Sequence, residues 1–230
     1  MKKILLVIYL ILICISISCR NENPENNEVN PETIYFDYKI TAAEGDDNLT
    51  IMLQYRDGNA EGETIRIDEP GKVIFDKEQV KPDSTIITGT FYELNKSIAS
   101  FSGKHTIVFK GMNGKEYKEK FDFQPFSLLT SIPDTIQRNE IFFDFSGLQE
   151  NDYIRVLLTD TSFVNEGINR IDTVGINRVI ITENDIRNLA NGPLQLEFIR
   201  EQDSRIRNGT KAGGKISINY SLKRQFILKG

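Results

Sequence analysis

An all-β fold of two consecutive β-sandwiches, at 34–124 and 125–230, is predicted by three observations. After residue 33, short runs alternate apolar and polar residues, the period of a strand with one buried face. Turn-forming residues separate these runs at the close spacing of sandwich proteins. A Gln124-Pro125 break divides the runs into two sets, and 230 residues are enough for two domains of ordinary size.

Ahead of the strands, Lys2 and Lys3 precede an apolar run from Ile4 to Ile13 and the small-residue-rich Cys14-Ile15-Ser16-Ile17-Ser18-Cys19. This is the charged, apolar and small-residue order of an export signal, assigned to 1–18. It falls short of the roughly 20 apolar residues that span a bilayer. The segment Ser16-Ile17-Ser18-Cys19 resembles the lipobox of bacterial lipoproteins, with Ser16 standing where that family has Leu. The resemblance implies that Cys19 is diacylated, with chains such as palmitate, and becomes the mature N-terminus. Two chains anchor stably where one does not, since each buried methylene adds about 0.8 kcal/mol. Cys14 fits less well, because bulky Ile13 precedes it. Both cysteines lie in this leader, so the mature chain has no pair for an internal disulfide or a cysteine metal site.

Residues 19–33 continue as an Asn-, Glu- and Pro-rich stalk with too little apolar surface to fold. As a coil, its ends are on the order of 20 Å apart.

The first sandwich then begins. Ile34, Phe36, Tyr38, Ile40 and Ala42 share one parity, and Leu49, Ile51, Leu53 and Tyr55 repeat it beyond the Glu44-Gly45-Asp46-Asp47 turn. Shorter runs follow at 64–67, 72–75 and 85–94. Runs at 104–110 and 115–123 flank Asn113-Gly114, a strong hairpin signal. In the second set, strands are expected at 126–132, 140–145, 153–160, 167–174, 178–181 and 193–200. Thr182 and Asp185 form a capping-box pattern for one short helix that ends at Gly192-Pro193, with Ile186, Leu189 and Ala190 as its packing face. A short helix bridging two strands across a sandwich end resembles immunoglobulin-like domains. The final run places Ile216, Ile218, Tyr220, Leu222, Phe226 and Leu228 on one parity, interrupted by Arg224, and is expected to fill much of the second core.

No residue pattern assigns a catalytic role or a cofactor. Gly209 to Lys215 matches the first part of a phosphate-binding loop, but Ile216 and an alternating strand replace the Ser or Thr and the helix that such a loop needs, so it reads as a glycine-rich turn. His105 is the only histidine and shares parity with Ile107 and Phe109, which favours a structural role. Asp144, Asp152 and Asp160 sit at strand ends or on a wet face, where solvation explains them without acid–base chemistry. The acidic turn of Glu44, Asp46, Asp47 and Asn48 lacks the order of a calcium loop. The formal charge of −5, two units more negative without Lys2 and Lys3, supplies no general field for nucleic acid. From Arg200 onward, eight Lys or Arg face two carboxylates. Among them, Arg205, Arg207, Lys211 and Lys215, with Arg200, are the candidate contacts for an anionic glycan or lipid phosphate. Tyr35, Tyr92, Tyr117 and Tyr153 are the candidates for a sugar-stacking platform.

The leader, stalk and two-part β layout together resemble two-sandwich cell-envelope lipoproteins of Bacteroidota. That resemblance implies an outer-membrane location on either its periplasmic or its outer side, a lipid tether at Cys19, and a non-catalytic role toward an envelope protein or glycan. A carbohydrate-binding accessory lipoprotein is the alternative, and a glycan-acting hydrolase ranks below both.

Overall fold

In the computed structural model, the described residues are 30–150, 152–160, 167–173 and 177–230. Cys19, the leader and most of the stalk lie outside them.

The fold is all-β and immunoglobulin-like in its layering, with sheets packed face to face in each half. The first half contains β1 (Ile34–Ala43), β2 (Asn48–Asp57), β3 (Lys72–Phe75), β4 (Glu78–Val80), β5 (Pro82–Thr85), β6 (Gly89–Ser97), β7 (Gly103–Lys110) and β8 (Glu116–Phe123). The second contains β9 (Ser127–Leu128), β10 (Thr135–Gln137), β11 (Ile141–Ser146), β12 (Tyr153–Asp160), β13 (Ile168–Thr173), β14 (Arg178–Ile181), the helix α1 (Glu183–Ile186), β15 (Gly192–Arg205) and β16 (Gly214–Lys229).

One long sheet runs through both halves in the order β13-β12-β15-β16-β1-β2-β6-β5, with β10 also on β16. Two small sheets cover it: β4-β3-β7-β8 over the first half and β14-β11-β9 over the second. Phe36 and Tyr55 on the long sheet meet Phe109 on β7 at 5.3 and 5.0 Å between ring centroids. In the second half, Phe198 on β15 takes the same part against Phe143 and Phe145 at 5.1 and 4.9 Å. These edge and tilted contacts are the preferred aromatic geometries, and they hold the layers together by burial.

The final hairpin joins the two sandwiches. At about 3.3 Å per residue, the 16-residue β16 is about 50 Å long, too long for one sandwich. Its first half pairs in parallel with β1, setting Ile216 beside Tyr38 and Ile218 beside Ile40. Those two residues therefore extend the first core, while Leu222, Phe226 and Leu228 enter the second. The expectation that the whole parity series fills the second core is corrected in this respect. Tyr220 lies between, 6.1 Å from Phe123 and 5.5 Å from Phe126, so the buried aromatics run continuously from one half to the other. Gly214 is required where β16 meets β1, because a Cβ there would lie 2.5 Å from the Phe36 carbonyl oxygen.

α1 carries the expected capping box, with the Asp185 N–H donating to Thr182 Oγ1 and the Thr182 N–H donating to Asp185. It is one turn long, and Ile186 and Leu189 are buried beneath it. The run at 64–67 forms an isolated bridge between Arg56 and Thr64 instead of a strand. Ile65 and Ile67 are only half-buried there, and the Ile67 N–H turns to the Tyr92 hydroxyl.

Candidate functional site

The basic residues after Arg200 do not assemble into one anion site. Arg200 is corrected outright: it is 2% exposed and spans the junction of the sandwiches. Its guanidinium donates to the carbonyls of Gln124 and Gly147, pairs with Asp152 at 3.7 Å and lies over the Phe126 ring at 5.6 Å. Burial disfavours its charge more than Asp152 favours it, so its pKa is lowered. Arg205 and Lys215 are direct cross-strand neighbours on the outward face. Arg207 turns instead into a cleft beside β8, where its backbone N–H donates to the buried Glu119 carboxylate at 2.9 Å. Lys211 is 2.8 Å from Glu32, which Lys115 also approaches at 3.7 Å. The hydrogen bond from Lys211 and the charges of both lysines hold the Glu32 carboxyl below its ordinary value.

The Arg207 cleft has a volume of about 570 Å³. Glu119, Asp122, Asp152, Glu201 and Asp203 outnumber Lys120 and Arg207 on its walls, so its charge is wrong for an anion. Three of these carboxylates already serve the fold. Glu119 pins the loop after β15, and Asp152 accepts from the Gln149 N–H at 2.9 Å and Gln202 Nε2 at 3.1 Å. Glu201 receives both arms of Arg155 at 2.8 and 2.9 Å. Among the described residues, no group of three His, Cys, Asp or Glu side chains is placed to hold a metal.

His105 forms two parts of a relay but lacks the place for a third. Its Nδ1 is 2.6 Å from Asp76 Oδ2, and its Nε2 is 2.6 Å from the Phe101 carbonyl oxygen. The nitrogen that would accept a proton from a nucleophile therefore faces a backbone acceptor. The ring also stacks on Phe101 at 3.8 Å, so it fastens the start of β7 to the loop before it. Of the other carboxylates, Asp144 is forked by Arg178 at 2.6 and 3.1 Å, and these bonds lower its pKa. Asp160 accepts the Ala190 N–H at 2.9 Å. Glu44 pairs with Arg224, which removes it from the acidic turn.

The candidate tyrosines form no common platform: Tyr92 and Tyr117 are buried, Tyr35 on β1 is half-buried, and Tyr153 on β12 is exposed. Tyr153 belongs to the outward face of β13-β12-β15, a surface that sequence reasoning did not single out. Cross-strand register sets Ile171 beside Arg155 and Arg155 beside Ile199, with Leu157 and Tyr153 two residues along β12 on either side. Ile171 is 54% and Tyr153 56% exposed, while Leu157 and Ile199 are half-buried. The Arg155–Glu201 fork lies in the patch, and the Lys223–Glu197 pair at 3.6 Å borders it. The covering sheet exposes a smaller pair, Phe142 opposite Ile180 on β11 and β14. The signal for such a patch is apolar residues on the wet parity of neighbouring strands, readable only once the register is known.

The long sheet, its two covering layers and this outward apolar face define a non-local all-β protein of two joined sandwiches. No family model matches the chain, and no curated protein matches it. Among solved structures it is similar to the complex described as Dpr11 IG1 bound to DIP-gamma IG+IG2, at 9% identity over 82% of this chain and 97% of that one, with a TM-score of 0.24. It is also similar to a bacterial ice-binding adhesin that is retained at a host cell surface, at 11% identity over 87% of this chain and 66% of that one, TM-score 0.23. A third is the adhesin InvE of Yersinia pseudotuberculosis, at 11% identity over 84% and 59%, TM-score 0.22. The description of the fold rests on the strand order and packing given above.

Proposed function

We propose that this chain is an exported lipoprotein, acylated at Cys19, that holds its joined sandwiches at a membrane for non-catalytic binding of an envelope protein. The observation that carries the binding half of this reading is the outward face around Ile171, Tyr153, Leu157 and Ile199. The apolar side chains surround the fixed Arg155–Glu201 pair, and large apolar residues gathered on one outward sheet face with charged groups at their edge support an interaction surface. The anchoring half is supported by the Lys2-Lys3 leader and the lipobox-like Ser16 to Cys19.

A photo-crosslinker placed at Ile171 of the full-length protein in its own cell envelope tests the binding half. A discrete cross-linked species, lost when Tyr153→Asp and Ile199→Asp are added, is the expected result. A crosslinker at Ile171 that captures nothing more than one at Asp46, on a distant turn, overturns it. Mass measurement of the mature N-terminus tests the anchor, with an unmodified Cys19 as the outcome that sinks it.

A further inference from the structure

We propose that the end of the first sandwich that receives the chain at Asn30 rests on the lipid bilayer, with Ile86 and Ile87 as a shallow inserting wedge. This contact builds on the reading of Cys19 as a lipid anchor and gives the tethered domain a defined orientation.

Ile86 and Ile87 form the tip of the β5–β6 hairpin and are 105% and 98% exposed, so they touch nothing else in the protein. The turn does not require them. It is closed by the Thr88 N–H on Thr85 Oγ1 at 2.9 Å and by Gly89, whose φ of 70° takes the left-handed geometry. Turn positions favour Gly, Asn, Asp and Pro, and β-branched apolar residues there gain nothing from the fold.

Position gives this tip its meaning. Asp57 pairs with Ile34, Arg56 bridges to Thr64, and the Thr90 N–H donates to Thr64 Oγ1 at 2.7 Å, so the hairpin tip lies at the level where β1 begins. The Gly58 N–H donates to the Thr33 carbonyl at 2.8 Å at the same end. A second apolar tip lies there too. Met112, 57% exposed, caps the β7–β8 hairpin, and a Cβ on its neighbour Gly111 would lie 3.4 Å from Pro31. Only ten residues lie between Cys19 and Asn30, a span of at most about 40 Å. An acylated Cys19 therefore brings the chain into the domain at this end, within that distance of the bilayer.

Asp57, Glu61 and Glu63 are exposed at this end, and the nearby Lys115 and Lys211 are shared with Glu32. Arg205, Arg207 and Lys215 are also exposed at this end, where the Asp37–Lys215 pairing sets the β15–β16 hairpin beside the start of β1, so the charge there is mixed; the wedge itself is apolar, and a zwitterionic bilayer isolates its contribution.

The test uses the full-length protein, purified with its Cys19 mass recorded and reconstituted in phosphatidylcholine vesicles. A polarity-sensitive dye is attached at Ile86→Cys and, as the control, at Asp46→Cys on the far β1–β2 turn. The expected result is a blue shift at position 86 and quenching by lipid-borne spin labels, with position 46 unaffected. Adding Ile87→Asp is expected to reduce the quenched fraction on the order of tenfold, the loss of one largely buried isoleucine. Equal quenching at 86 and 46 overturns the proposal, as does a blue shift that is present without vesicles, which marks a protein or a second copy as the occupant. Quenching at 86 with an unmodified Cys19 removes the anchor and leaves the wedge. An acylated Cys19 without quenching does the reverse.

Discussion

Arg200 offers the most direct test of how the two sandwiches are joined. Its guanidinium is almost fully buried, 3.7 Å from Asp152, and bonded to the Gln124 and Gly147 carbonyls, so one side chain fastens the connecting peptide to the second half. At 3.7 Å and an effective dielectric of about 20, the gross attraction is about 4–5 kcal/mol. Desolvation offsets much of it, as the lowered Arg200 pKa indicates. The net value of the pair is therefore small, but removing one partner strands the other. Asp152→Leu leaves a buried guanidinium uncompensated and is expected to cost about 3–5 kcal/mol. Arg200→Met leaves Asp152 with Gln149 and Gln202, and is expected to cost about 3 kcal/mol, near the lower end of the same range. The double variant should cost at least about 1 kcal/mol less than the sum. Urea unfolding followed by far-ultraviolet circular dichroism measures all three. Additivity within about 0.5 kcal/mol, or single losses below about 1 kcal/mol, would refute the coupling.

Three further outcomes are expected. Arg138 donates to the carbonyls of Ile186, Arg187 and Leu189 and to Asn191, closing the end of α1, so Arg138→Met should cost about 2–3 kcal/mol and speed amide exchange at 189–191; unchanged exchange would remove that role. For Asp185, burial raises the pKa, but the Arg170 ion pair and the Thr182 hydrogen bonds outweigh it and hold the carboxyl below its ordinary 3.8. Its stabilisation is thus present above about pH 4 and lost as the pH falls through the lower folded value, so the margin of wild type over Asp185→Asn should shrink in acid; a constant margin contradicts the assignment. Gly214→Val drives a side chain against the Phe36 carbonyl and should destabilise by about 1–3 kcal/mol, visible as a lower urea midpoint; a neutral effect would show that β16 shifts freely on β1.

Several elements were legible because their signals are local. The alternation of Ile34 to Ala42, the Asn113-Gly114 hairpin and the Thr182–Asp185 capping box each depend on residues within a few positions, and each appears in the fold. Other expectations failed where a distant partner decides. The 64–67 run resembles a strand, yet its amides turn to Tyr55 and Tyr92 and it pairs only at Thr64. The 126–132 run shortens to β9 at Ser127–Leu128, whose pairing is limited to Phe145 and Ser146. The strand Thr135–Gln137 carries little alternation of its own and exists because β16 extends far enough to pair with it. Among the basic residues, charge placed Arg200 with Arg205 and Lys215, but charge alone does not tell a buried clamp from a solvated face.

The residues by themselves determined the all-β class, the period of many of the strands and the short capped helix after Thr182, and they raised the expectation of a lipid anchor at Cys19, because turn chemistry and binary pattern act over short stretches of chain. The tertiary structure alone decided that β1 and β16 pair in parallel, that one sheet serves both sandwiches, that Arg200 is buried between them, and that two bare isoleucines stand at the end where β1 begins. Those features depend on register and on contacts between residues as much as 178 positions apart, such as Phe36 and Gly214, and no local pattern encodes which of many compatible strands will meet.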